Sequence, residues 1–112
     1  MEKIAQQEDV QMFYRAILKL KNLEECHMFF MDICTINEIQ TIAQRLQVAQ
    51  LLDQGNTYVN IEQITGASTA TISRVKRCVQ YGAGGYEMML PRLRGDGMPE
   101  TATPEQDDSN TP

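Results

Sequence analysis

Six side chains between positions 69 and 77 have the types and spacing to read a nucleic acid. They lie in the stretch 61–79, IEQITGASTATISRVKRCV. Successive residues of a helix that starts after Ser68 are separated by about 100°. Ala70, Ser73, Arg74 and Arg77 then point to one side, with Thr69 and Lys76 on one flank, while Ile72, Val75 and Val79 point to the other. Small residues at the N-terminal end let such a helix approach base edges. The Ser73 hydroxyl can donate or accept, and the cations further along reach phosphates or guanines. The helix N-terminus offers amide donors to a phosphate. A short helix burying Ile61 and Ile64, a tight turn at Gly66-Ala67-Ser68 and this second helix together form the pattern of a helix-turn-helix. The plainer alternative is an amphipathic surface helix with Arg and Lys as its solvated face. Glu62 also departs from the pattern, standing in the first helix where many such motifs place a small residue.

Other constellations offer less. Cys26-His27 and Cys34 would place two thiols eight residues apart on one helix, too far along its axis to share an ion. No metal is expected; the thiols are read as buried or partly buried, with Cys78 as the third. Ser68, Thr69 and Ser73 have no histidine base nearby, since His27 is the one histidine, and no carboxylate pair suggests a cleft. The chain is therefore not expected to be an enzyme or to need a cofactor. Met28, Met31, Met88 and Met89 are read as core or dimer filler.

Those six side chains need a scaffold, and 112 residues with 42% hydrophobic content supply one small domain. A core of that size gains from dimerisation. The formal net charge of −5 argues against a nucleic-acid partner until it is divided. Residues 1–93 hold nine Lys/Arg and ten Asp/Glu, whereas residues 94–112 hold one Arg and five acids. A basic patch on the body is thus compatible with an acidic chain. No apolar run approaches the roughly 18 residues of a membrane span. The N-terminus is polar within ten residues, so no signal peptide is read, and a cytoplasmic, reduced protein with no membrane partner is expected.

The fold expected is all-α, with about six helices and no strand. After a frayed stretch 1–9, Val10, Phe13, Ile17 and Leu20 keep the helical period, with Lys19 and Lys21 in the last turn. Asn22 caps a second helix, with Glu25 as the reciprocal acid of a capping box. Leu23, Cys26, Phe29, Phe30 and Ile33 form its buried side, and Met28 and Met31 make it apolar nearly all round. Such a helix is buried all round, and a partner subunit is the expected cover. Thr35 and Glu38 cap a third helix whose stripe runs through Ile36, Ile39, Ile42, Ala43, Leu46, Ala49 and Leu52 to Gly55. Thr57 and Ser68 cap the two helices of the motif, about residues 57–80. A last short helix, Tyr86 to Leu90, is expected to stop near Pro91, so the domain spans 10–93. Residues 94–112 are expected to be a disordered acidic tail, read as a solubilising end rather than a decoy for the basic face.

The segment TGASTATISRVKR, the Gly55-terminated long helix and the upstream DICTINEIQTIAQR resemble the Trp repressor family. Within it they are similar to the YerC/YecD branch of small Trp-repressor-like proteins. The resemblance covers roughly residues 10–92 and implies an interlocked homodimer that presents one helix-turn-helix per subunit to half of an operator. It also implies an effector pocket, because Arg45 and Arg74 match the two arginines between which the repressor holds tryptophan. The repressor has a glycine after its second arginine; here Val75 should shrink or fill the pocket, so tryptophan is not the expected effector and another small molecule remains open. Thr69, Ala70 and Ser73 match the repressor's reading residues. Tyr58, Val59 and Glu62 stand where the repressor is basic and polar, and Glu62 would repel a phosphate or accept from a cytosine amine.

The resulting expectation is a sequence-specific DNA-binding regulator, a repressor acting as a homodimer on a near-palindromic site. Thr69, Ala70 and Ser73 would read bases; Arg74, Lys76 and Arg77 would contact phosphate or guanine. The alternative is a helical protein-interaction module that has lost DNA binding, favoured by Glu62, the near-neutral body and the acidic tail.

Overall fold

The computed structural model describes residues 3–95, and the expected disordered tail beyond Gly95 lies outside them. Among the described residues there are six α-helices and no strand: α1 Glu8–Leu18, α2 Leu23–Ile33, α3 Ile36–Asp53, α4 Tyr58–Thr65, α5 Thr69–Tyr81 and α6 Gly85–Gly95. The chain divides into two compact units between Ile39 and Gln40. No helix among the described residues is long and apolar enough to cross a membrane.

In the first unit a 3-10 turn, Ile4–Gln6, precedes α1, where the sequence suggests a frayed end. Glu8 and Asp9 occupy the first turn of α1, where acids suit the helix dipole. The helix ends a turn earlier than its lysines suggest. Lys19 is the C-cap, its N–H bonded to Ala16 O, and the next N–H, of Leu20, bonds Ile17 O. Lys21 lies in the connection, where its N–H donates to Glu25 Oε1 at 2.9 Å. Glu25 therefore reaches one residue beyond the Asn22 cap, whose Oδ1 accepts from Glu25 N–H at 2.8 Å. At α3 the box is reciprocal: Thr35 N–H donates to Glu38 Oε1 at 2.8 Å and Glu38 N–H to Thr35 Oγ1 at 3.1 Å.

Phe13 of α1 stacks on Phe29 of α2 at 6.3 Å between ring centroids. Phe30 meets both rings edge-on, at 6.5 Å from Phe13 and 5.6 Å from Phe29. Neither α1 nor α2 has a buried residue. Leu18 is 84% exposed and Leu23 88%, and Met28, Met31 and Ile33 are exposed as well. Leu23 and Ile33 thus leave the expected buried side of α2, a helix that is apolar on most faces and uncovered within its own unit among the described residues.

The second unit closes its own core. Val48, Ala49 and Leu51 of α3 pack with Ile61, Ala67, Ile72, Val75 and Leu90. This corrects the expected α3 stripe. Ile36, Ile42 and Ala43 are exposed, and Val48 and Leu51, outside the stripe, are fully buried. The α3 C-terminus is a Schellman motif. Gly55 N–H bonds Leu52 O, and Asn56 N–H bonds Leu51 O, both at 3.0 Å. Gly55 takes φ +87°, a conformation that costs glycine nothing in sterics.

The last helix also differs from expectation. α6 continues through Pro91 to Gly95, so Arg94 belongs to a helix. Proline removes one helical hydrogen bond. Packing on both sides offsets that loss: Leu90 is buried, Leu93 lies against the core, and Arg94 pairs with Asp53.

Candidate nucleic-acid interface

The helix-turn-helix is built from caps and one glycine. Thr57 Oγ1 accepts from Asn60 N–H at 3.2 Å and starts α4. Gly66 stops it with φ +75°, its N–H bonded to Glu62 O at 2.9 Å. Ser68 Oγ then accepts from Thr71 N–H at 3.1 Å and starts α5. Thr65 braces the turn, its hydroxyl donating to Ile61 O at 2.7 Å and accepting from Ala67 N–H at 3.0 Å. Gln44 of α3 donates to Thr65 O at 3.1 Å and ties the turn to the scaffold. Ile72 and Val75 are buried beneath α5. Thr69, Ala70, Ser73, Arg74, Lys76 and Arg77 are all exposed.

Three of these six are engaged in ways that spacing alone does not reveal. The Thr69 hydroxyl donates to Glu62 Oε2, seven residues back across the turn. Lys76 Nζ lies 5.7 Å from the centroid of the Tyr58 ring, a cation–π placement that directs its charge toward α4. Arg74 shares a cavity of about 270 Å³ with Arg45. Ala70, Ser73 and Arg77 have no such tie among the described residues.

That cavity brings together the two arginines expected to flank an effector. Thr41, Gln44 and Arg45 line it from α3, and Thr71, Arg74 and Cys78 from α5. The spacings of three and four on each helix were the signal for these additional residues, but it can be read only once the two faces are known to oppose. Val75 forms part of the wall, so its branched side chain borders the cavity without eliminating it. Tyr86 of α6 is also in the wall, and burial pushes its phenol above the usual range. The neighbouring Cys78 adds to that rise, and the Arg45 guanidinium opposes it. Cys26 and Cys34 are half-buried, within the buried or partly buried expectation, whereas Cys78, on the flank of α5, is exposed.

Comparison with known proteins agrees with this architecture. The family model for the Trp repressor protein matches residues 8–94. The uncharacterized protein YerC of Bacillus subtilis (strain 168) is 60% identical over 86 residues, covering 77% of this chain and 83% of that protein. A TrpR like protein from Eubacterium eligens ATCC 27750 superposes with a TM-score of 0.80 at 46% identity, over 83% of this chain and 96% of that one. A second solved structure, from Staphylococcus aureus, gives a TM-score of 0.79 at 51% identity, over 84% and 96% of the two chains. The six-helix arrangement is thus TrpR-like, and the chain belongs to the Trp repressor family.

Proposed function

We propose that this chain is a sequence-specific DNA-binding transcriptional regulator, a repressor that acts as a homodimer in the cytoplasm. The observation that carries this reading is the exposed row Ala70, Ser73, Arg74 and Arg77 on a helix whose opposite face, Ile72 and Val75, is buried. Small residues lead the row and cations end it, which suits base edges first and phosphates after. The uncovered apolar faces of α1 and α2 supply the dimer surface. Two symmetric reading helices select a near-palindromic site with half-sites about 34 Å apart. The role is regulatory rather than enzymatic.

Tryptophan is not the proposed effector. Val75 stands in the wall of the cavity between Arg45 and Arg74, and its branched side chain takes up room that an indole would need. Selection from a pool of random duplex DNA by the purified protein, with and without tryptophan, tests both statements. A palindrome enriched equally in both arms is expected. Enrichment only with tryptophan would make Arg45 and Arg74 its ligands and overturn the effector argument. No enrichment in either arm would favour a protein-interaction module instead.

A further inference from the structure

We propose that Glu62 and Thr69, joined across the turn, form one acceptor element that selects cytosine in the major groove. This rests on the DNA-reading assignment above and adds a base preference to it.

Thr69 is the first residue of α5, at the end of a reading helix that approaches base edges most closely. Its hydroxyl proton is already committed to Glu62 Oε2. A threonine hydroxyl has one donor and two acceptor lone pairs; with the donor used, it meets a base as an acceptor. An ionised glutamate is acceptor-only. The pair therefore presents acceptors alone. Guanine shows two acceptors in the major groove, and thymine an acceptor and a methyl group. Adenine pairs its amine with an adjacent N7 acceptor. Cytosine offers an amine donor with no acceptor on its own major-groove edge, and it is the base that matches this surface.

The same carboxylate changes what the N-terminus of α5 does. That end of the helix dipole favours an anion, and Glu62 supplies one through its link to Thr69. A phosphate placed there would meet a like charge. The first turn of α5 is thereby directed to a base, and backbone contacts fall to Arg77 and to the other cations of the helix.

The test is selection of duplex DNA by the full chain and by its E62Q, T69V and T69S variants. In the wild-type site one position per half-site should be cytosine, preferred by about tenfold or more over the other bases. E62Q and T69V should lose that preference while the other positions of the half-site stay the same; T69S, which keeps the hydroxyl, should retain it. The wild-type protein gives an independent measure. A duplex in which that cytosine carries hydrogen in place of its N4 amine should bind about tenfold more weakly. A wild-type site without such a cytosine, unchanged discrimination in E62Q and T69V, or full affinity for the amine-free duplex overturns the proposal and leaves DNA reading intact. Failure of the wild-type protein to enrich any sequence removes both.

Discussion

Residues 40–95 bury eight hydrophobic side chains, whereas the described residues before them bury none. Both regions are helical and both hold large apolar residues, so composition does not separate them. The second has helices whose apolar faces meet one another, with Leu51, Ile61 and Ile72 fully buried. The first has three phenylalanines in mutual contact and a wide apolar surface with nothing from its own unit over it. One region completes a core within the chain. The other is amphipathic in the manner of a half-interface, which is why a second copy is the proposed cover.

Substitutions can separate these two roles. The largest effect is expected from Leu51→Ala, which leaves a cavity in the closed core and should cost about 2–5 kcal/mol in denaturant unfolding. The loss should be the same at every protein concentration; a cost below that range would mean the second unit does not depend on its own core. Joint replacement of Met28 and Met31 by Glu should leave helix content unchanged and weaken self-association by about tenfold or more, because it puts charge into an apolar interface. Sedimentation of this variant at the wild-type mass across dilution would contradict the assignment of α2 to the dimer surface. The smallest effect belongs to Asp53→Asn, which removes the ion pair with Arg94. Both partners are substantially exposed, so the cost should be about 0–1 kcal/mol and should shrink with added salt. A larger cost would show that α6 is held by charge rather than by Leu90 and Leu93.

The sequence was most informative where structure is determined within a few residues. Asn22, Thr35, Thr57 and Ser68 all cap helices, and Gly55 and Gly66 end them, because each acts on a backbone group at most three or four residues away. It was less informative where two faces compete for one helix. The run Ile36 to Leu52 has a sound helical period, yet the core takes Val48 and Leu51, a choice that depends on where α4 and α5 lie. Pro91 was misleading because local backbone chemistry opposes a helix there and tertiary packing on both flanks outweighs it. In the candidate interface the exposed and buried faces of α5 followed from periodicity. The engagement of Thr69 by Glu62 and of Lys76 by Tyr58 did not, since both contacts cross from one helix to another.

The two left-handed glycines have a consequence for how this protein can diversify. Gly55 and Gly66 stand on either side of α4, and each sets a chain reversal by its backbone angle; a Cβ at either would meet no atom within 4 Å. Between them α4 is a cassette of fixed length. Its letters can be exchanged, but an added or deleted residue would turn the helix by about 100° and move Ile61 off the core. Under the proposed DNA-reading role, substitution at Val59 and Glu62 changes what α4 presents without changing its length, and changes of length are confined to segments outside the two reversals.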